Sequence, residues 1–452
     1  MALYCAVTNR DRVGNYWYLY TLCFSNATHG EEWEEWYVGQ TEYNFKENDG
    51  TIIKVKKPII NNISTYNNEM VTLPSDCTGM FSNMTALGVD PGSYYNAELS
   101  FQHVKDVYKD FSNFDTSQVT CMKSMFENSF GFIYVEEDDL AYKIYNTYLY
   151  TCKSLKLIGL DSWDVSNVTD MSRMFAHINI FTVNGLRDSI FSNIVWDVSP
   201  SEGISKNFTA KEMFLGSCFS FSNFKLILGG SIVANLEGMF NGFGSGYFTT
   251  YSWTATSIQY SNNFIPAPID LTGWSFSNYP DAEFYFNNMF RNTLCSKLML
   301  PTIHNYNIKD ANYMFAYTTT TTDLPKMQKI NYPYDEVMNV DANRYILGYS
   351  NIKSTYYTSS TKLKSIQTTK YSDWRGGPSS GYSMFSGQTL LNNFNGSDLG
   401  ISRANTQEGY GYFENLPPLP NLKNYIKLNS GWKDSTVYIK TSSGWKESGV
   451  YM

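Results

Sequence analysis

The chain has 452 residues, a formal net charge of −8, and aromatic and charged fractions of 17% each. The charged fraction is low against the roughly 25% of an average domain, so we expect a surface of Tyr, Asn, Ser and Thr rather than of ions. Nucleic-acid binding needs a basic stripe, and the short run at Lys54–Lys57 is too small to provide one. No stretch approaches the roughly 20 apolar residues that span a bilayer, so we expect no membrane span.

Residues 1–70 are the first predicted region. Short aromatic and β-branched runs separated by Gly, Asn and acidic residues predict a small antiparallel sheet, which would serve as a cap for the rest of the chain or as an attachment region. The first residues, MALYCAVTNRDRVG, lack the basic segment and the long apolar segment of a secretory signal. We therefore expect synthesis in the cytoplasm without export through a signal.

Residues 71–420 carry a recurring Met-Phe dipeptide, with gaps often near one or two multiples of twenty-five residues. A fixed period of this size indicates a small supersecondary unit that is stacked on copies of itself, because one unit cannot bury its own apolar face. The dipeptides lie at Met80-Phe81, Met125-Phe126, Met174-Phe175, Met213-Phe214, Met239-Phe240, Met289-Phe290, Met314-Phe315 and Met384-Phe385.

The two best repeats align without a gap, FDTSQVTCMKSMF from Phe114 and WDVSNVTDMSRMF from Trp163. Their apolar residues recur at i, i+3, i+6 and i+7, which predicts a short helix, with Ser117 and Ser166 as its N-caps. Upstream, alternating leucines predict a short strand at Leu155, Leu157 and Leu160. Each unit would be strand, turn and short helix, with Met and Phe in the core.

These units resemble the BspA-like leucine-rich repeats of bacterial and protist surface proteins, whose units run through a leucine strand, a W-D-x-S-x-V segment and an M-x-x-M-F ending. The resemblance implies an α+β fold: a leucine-rich-repeat-like solenoid of short strands and short helices. TAKEMF, ANLEGMF and EFYFNNMF keep the Met-Phe pair but lose the Asp-Ser-Val part. Insertions at Gly131–Tyr150 and Tyr334–Tyr382 interrupt the regular spacing of the repeats, and we expect them on one rim of the array.

Residues 421–452 contain a second, shorter repeat. Gly431–Lys440 reads GWKDSTVYIK and Gly444–Met452 reads GWKESGVYM, which pairs Trp432 with Trp445 at a spacing of thirteen. The alternation and the Gly and Ser between the runs predict hairpin-like strands. The tandem resembles the GWK…VYIK endings of phage tail and virion proteins. A hairpin that caps the open end of the array is the alternative, and both interpretations stay open.

No motif in the sequence indicates a catalytic, metal-binding or cofactor-binding residue. We therefore predict that the protein is not an enzyme. The histidines are isolated, without an HExxH pattern or a recognisable triad: His29, His103, His177 and His304. The acidic clusters at Glu31–Trp36 and Glu136–Asp139 lack the DxDxDG calcium pattern and are expected to be solvated turns. Seven cysteines without a CxxC pair fit free thiols made in a reducing compartment.

The first functional hypothesis is a phage virion structural protein made in the host cytoplasm, an exposed tail or head fibre or spike component. Its partners would be other virion proteins and a host surface glycan or protein, with self-association as an option. The alternative is a BspA-like adhesin on a bacterial cell surface. The further alternative is a tail-spike-like glycan hydrolase, for which Asp281 and Glu283 would be the carboxylate pair unless they form a polar edge. Binding positions are expected in the insertions, and no residue is assigned to them.

Overall fold

The computed structural model describes residues 2–13, 17–84, 87, 106–130, 154–178, 190–217, 219, 221, 223–244, 268–295, 297–301, 303, 307–316, 319–320, 366–368, 383–386, 393, 398–405, 407–408, 410–415, 424–428, 431–435, 438–441 and 444–447. This part of the chain is mostly strand, arranged in several small sheets, with 3₁₀ helices at Tyr66–Asn68, Leu160–Ser162 and Ile401–Arg403. It divides into two units, Met1–Glu414 and Asn415–Met452. None of the described helices is both long and apolar enough to cross a membrane.

The N-terminal strands form one sheet in the order β5-β4-β1-β2-β6, with β3 paired to β1. The strands are β1 Tyr4–Val13, β2 Trp17–Ser25, β3 Glu34–Glu35, β4 Glu42–Lys46, β5 Ile52–Lys56 and β6 Ile59–Thr65. The β1–β2 and β4–β5 pairs are antiparallel, but β1–β4 and β2–β6 are parallel. The prediction of an antiparallel sheet is therefore wrong in part. Because β5 and β6 lie at opposite edges, the chain crosses the sheet between them and β6 arrives parallel to β2.

One face of this sheet packs against the first repeats. The ring of Phe24 lies 5.9 Å from the rings of both Phe81 and Phe114. Lys109 Nζ also donates a 2.8 Å hydrogen bond to the carbonyl oxygen of Asn61 in β6. Residues from the sheet and from the repeats belong to one continuous apolar core, so the sheet covers the start of the repeat region.

The repeat region is built from short strands that pair between successive units. They are β7 Val71–Thr72, β8 Asp106–Asp110, β9 Phe114–Asp115, β10 Ser154–Ile158, β11 Ile194–Asp197, β12 Ser205–Thr209, β13 Phe224–Leu228, β14 Ser231–Asn235, β15 Ile269–Asp270, β16 Ser275–Phe276, β17 Glu283–Tyr285, β18 Leu294–Cys295, β19 Leu298–Leu300, β20 Ile308–Asp310, β21 Thr319–Thr320, β22 Ile366–Thr368 and β23 Phe413–Asn415. Parallel pairing joins β8 to β10, β11 to β13 and β16, and β12 to β14, β17 and β20. The strand predicted at Leu155–Leu160 is present as β10, and Leu160 begins the 3₁₀ helix that comes after it.

The Met-Phe segments of successive units stack directly on one another. The amide of Phe126 donates to the carbonyl oxygen of Met174, and the amide of Phe175 donates to that of Met213, both at 2.9 Å. The same bond joins the next units from Phe214 to Met239, Phe240 to Met289, Phe290 to Met314 and Phe315 to Met384. All of these Met and Phe side chains are buried, which confirms their predicted place in the core.

The predicted short helices over the Met-Phe segments are wrong. These segments are successive turns, in which the residue before Met adopts a left-handed conformation, with φ of 54° at Ser124 and 58° at Arg173. A helix would direct each amide to the carbonyl four residues earlier, whereas alternate amides here reach the neighbouring unit. The N-cap prediction for Ser117 and Ser166 fails for the same reason, since their own amides donate to the carboxylates of Asp115 (3.0 Å) and Asp164 (2.9 Å).

The second unit contains two separate antiparallel hairpins. They are formed by β24 Asn424–Leu428 with β25 Gly431–Ser435, and by β26 Tyr438–Thr441 with β27 Gly444–Glu447. The hairpin-like strands predicted for the C-terminal tandem are therefore present. The domain boundaries at residues 70 and 420 and the solenoid as an overall shape stay predictions.

Candidate binding surface

The tryptophans of the W-D-x-S motif are buried and donate hydrogen bonds to backbone carbonyl groups. The indole nitrogen of Trp163 donates to the carbonyl oxygen of Phe111 at 3.2 Å, and that of Trp196 donates to the carbonyl oxygen of Leu160 at 2.8 Å. Trp274 makes the equivalent bond to Phe224 at 3.0 Å. The Asp after the Trp accepts an amide hydrogen bond two residues on, which is an Asx turn. These three tryptophans therefore join their units to preceding ones, and their indole rings are buried.

The ridge formed by the Met-Phe turns carries ion pairs that join three units. Arg173 Nη1 lies 2.6 Å from Glu212 Oε2, and Arg173 Nη2 contacts Glu127 Oε1. Burial raises the pKa of Glu127, but the hydrogen bonds from Arg173 and Ser124 and the nearby positive charges together outweigh burial, so the pKa lies below its ordinary value. Burial and the charge of Arg173 lower the pKa of His177. Arg173 thus forms an ion pair with each of the two glutamates, and we call this group the Arg173 clasp because it links three units.

The outward residues of the first strands combine apolar and cationic side chains. We define the exposed strand face as Tyr108, Ile158 and the half-buried Lys156 on the β8–β10 sheet, together with Val195 and Lys225 on the separate sheet that contains β11 and β13. Tyr108 is 59% exposed and pairs in register with Lys156, and Val195 is 51% exposed and pairs in register with Lys225. Tyrosine offers large contact area at low entropic cost, and a neighbouring lysine attracts acidic groups. The exposed strand face thus places apolar side chains beside lysines on paired strands.

Long insertions leave the repeat region at equivalent positions. One lies between Phe130 and β10, another between Ile178 and Ile190, and a third between Gly244 and β15. Each comes after a Met-Phe turn and precedes the first strand of the next unit. At the described ends of these insertions, the amide of Ile178 donates to Ser217 Oγ, the amide of Gly244 donates to the carbonyl oxygen of Ser217, and the amide of Leu157 donates to that of Ile190. Gly131–Tyr150 and nearly all of Tyr334–Tyr382 lie outside the described residues.

The carboxylates considered for glycan hydrolysis do not form a symmetric pair on one strand. Asp281 is exposed and precedes β17, whereas Glu283 is half-buried in it. Glu283 accepts a 2.9 Å hydrogen bond from the hydroxyl of Tyr285 and lies 3.7 Å from Lys309 Nζ. The hydrogen bond to Glu283 raises the pKa of Tyr285. Glu283 therefore contacts both Tyr285 and Lys309, and the two interpretations of the carboxylates stay predictions.

Two of the four histidines lie in the described residues. His29 is exposed and its ring stacks on Tyr66 with centroids 3.5 Å apart, while its Nε2 lies 2.7 Å from Ser25 Oγ. His177 lies beside the Arg173 clasp. His103 and His304 lie outside the described part.

The acidic cluster at Glu31–Trp36 interacts with neighbouring residues of the N-terminal sheet. Glu34 lies 3.4 Å from Lys54 Nζ and accepts a hydrogen bond from Gln40, and both tryptophans of the cluster are buried. Glu136–Asp139 lies outside the described residues. Where the chain is described, no group of three His, Cys, Asp or Glu side chains is arranged to hold a metal ion.

The described cysteines are free thiols. Cys5, Cys23, Cys77 and Cys295 are buried and Cys121 is half-buried. Burial raises the pKa of the Cys5 thiol to about 12 and that of the Cys295 thiol to about 12. Cys152 and Cys218 lie outside the described residues. The buried thiols act as small apolar groups in the core.

Stacked parallel units with a buried, repeated Met-Phe segment define a repeat protein. Residues 51–140 and 143–268 match the family model described as "Mycoplasma protein of unknown function, DUF285". The match supports the surface-repeat family that the Met-Phe and W-D-x-S motifs indicate. Neither a curated protein nor a solved structure matches the chain.

Proposed function

We propose that this chain is a non-enzymatic structural protein of a phage particle, an exposed tail or head fibre or spike component. Its repeat region, a leucine-rich-repeat-like solenoid, would bind a host surface molecule or another virion protein. The observation that supports the proposal is that both ends of the stack of repeats are covered by residues within Met1–Glu414. The N-terminal sheet packs on the first repeats, and residues 398–413 pack on the last Met-Phe pair. We assign the C-terminal tandem a separate role, such as attachment to a particle.

The closure at the far end is built around a buried arginine. Arg403 Nε lies 2.9 Å from Asp398 Oδ2, and its guanidinium carbon lies 3.9 Å from the centre of the Tyr410 ring. The hydroxyl of Tyr412 donates to the carbonyl oxygen of Asp398 at 2.9 Å, and its ring lies 5.0 Å from that of Phe385. The last Met-Phe pair is therefore covered, as the terminal unit of a repeat array requires.

The family match favours a second candidate, a surface adhesin on a bacterial cell. Both candidates use the same mechanism, in which the buried motifs hold the scaffold and outward residues make non-covalent contacts. The exposed strand face and the rim that carries the insertions are the two surfaces that we propose for these contacts. Aromatic anchors with polar neighbours supply most of the binding energy in such interfaces.

The binding role is tested by the adsorption of purified protein to host cells. Replacing residues 131–150 by a short Gly-Ser linker removes one insertion, and the double variant Tyr108→Ser with Val195→Ser alters the exposed strand face. We expect at least one of these variants to lose adsorption with an unchanged unfolding midpoint. Lys123→Ala, an exposed change on the Met-Phe ridge, is the control and should adsorb normally. Adsorption that persists in both variants would contradict the proposed surfaces, and new reducing ends on host glycan would favour the hydrolase.

A further inference from the structure

The C-terminal tandem repeats its structure as well as its sequence. NYIKLNSGWKDS begins at Asn424 and VYIKTSSGWKES begins at Val437, thirteen residues later. In the first hairpin Leu428 pairs with Gly431 and Lys427 with Trp432. In the second, Thr441 pairs with Gly444 and Lys440 with Trp445. Each thirteen-residue repeat is thus one hairpin, with a two-residue loop and the same register.

The four described strands of this unit pair only within each hairpin. Among residues 424–428, 431–435, 438–441 and 444–447, β24 pairs with β25 and β26 pairs with β27, and the sheets contain two strands each. Only residues 436 and 437 separate β25 from β26, yet these two strands are not paired. Neither hairpin thus pairs its outer edge with another of these four described strands.

Hairpins of this size need additional strands. An isolated two-stranded sheet is marginally stable in water, and three or more strands are needed for independent stability. The two-residue loops here are Asn429-Ser430 and Ser442-Ser443, which lack the Asn-Gly or Asp-Gly pair that favours a tight hairpin turn. A strand edge with unpaired amides and carbonyls is also a template for another chain.

We infer that the C-terminal tandem is a self-association module, in which the hairpins of one chain add their strands to the equivalent hairpins of other copies. Equivalent hairpins have the same length and register, so a symmetric assembly supplies a matching edge to every hairpin. This partner is favoured over a foreign protein because the required complement, a pair of short strands at a thirteen-residue repeat, is already present in each copy. The inference does not depend on where the assembly is located.

The test compares the mass in solution of the complete chain with that of a chain ending at Glu414, by light scattering and native mass spectrometry. We expect an oligomer for the complete chain and a monomer for the shortened one, with the same unfolding midpoint for the repeat region. In the complete chain, Ile426→Pro with Ile439→Pro removes one amide donor from each first strand and should also give a monomer. Ser430→Gly with Ser443→Gly, which keeps the strands, should remain an oligomer.

A complete chain that stays monomeric at every concentration would overturn the inference. So would an oligomer that survives in the shortened chain or in the double proline variant. Loss of host-cell adsorption is measured separately, so failure of the self-association inference is distinguishable from failure of the proposed binding role.

Discussion

The rings of Phe126 and Phe175 lie parallel, with their centroids 5.4 Å apart and their planes at 3°. The two residues are forty-nine positions apart in the chain and belong to neighbouring units. The same stacking continues from Phe175 to Phe214 at 5.8 Å and from Phe214 to Phe240 at 5.2 Å. This column of rings, together with the amide bonds beside it, holds successive units in register and makes the Met-Phe dipeptide a scaffold feature.

Phe175→Ala should destabilise the repeat region by about 3–5 kcal/mol, because it removes a fully buried ring and leaves a cavity between two other rings. Urea unfolding followed by circular dichroism measures the loss. Tyr108→Ala is the control at an exposed aromatic residue and should change stability by no more than about 0.5 kcal/mol. A Phe175→Ala protein as stable as the control would contradict the role of the ring column.

Gly159→Ala should also destabilise the fold, because an added Cβ would lie 2.3 Å from the backbone nitrogen of Ser112 in the preceding unit. Gly203→Ala is a matched control, since Gly203 also has a positive φ, of 76°, but the added Cβ has no neighbour within 4 Å outside Gly203 and its two adjacent residues. We expect the control to lose about 1 kcal/mol from backbone strain alone. Thermal melts that give equal losses for the two variants would show that close approach of the units at Gly159 is not required.

Arg173→Ala should lower stability at neutral pH by roughly 1 kcal/mol, because it breaks contacts to two half-buried glutamates. The pKa of Glu127 is below its ordinary value in the folded protein, so this contribution is present above the unfolded pKa and disappears as the pH falls through the folded one. The difference between the wild type and Arg173→Ala should therefore shrink on acidification. Unfolding curves from neutral to acidic pH test this, with Lys123→Ala as the exposed-cation control. A difference independent of pH would contradict the assigned ion pair.

Alkylation of the native protein should distinguish the cysteines. Cys121 is half-buried, whereas Cys5 and Cys295 are buried with pKa values raised to about 12, so few thiolates are present and access is blocked. Peptide mass spectrometry after brief iodoacetamide treatment should find Cys121 modified first and the other two only after unfolding. Equal labelling of all three in the native state would place Cys5 and Cys295 outside a closed core.

Periodicity in the sequence was enough to predict the buried Met-Phe pairs and the strand at β10, because burial imposes residue types that recur in every unit. It was not enough to predict the turns. The left-handed residues that shape them include Ser124, Arg173 and Glu212, which carry no glycine signal, and the amides bond to carbonyls in another unit. The spacing of the apolar residues in each repeat therefore resembles that of a helix although the segments are turns.

Pairing between distant segments also escaped prediction. The parallel β2–β6 contact of the N-terminal sheet and the clasp of Arg173 with Glu127 and Glu212 depend on which units become neighbours, and that depends on insertion lengths. The exposed strand face was missed for a related reason. A sequence of alternating residues does not reveal which outward side chains meet a lysine on the next strand.

The most direct test of the account is the location of the protein, by quantitative mass spectrometry of purified phage particles and of envelopes from uninfected host cells. We predict a fixed number of copies per particle and none in the uninfected envelopes. Absence from particles together with enrichment in cell envelopes would contradict the virion proposal and favour the bacterial adhesin.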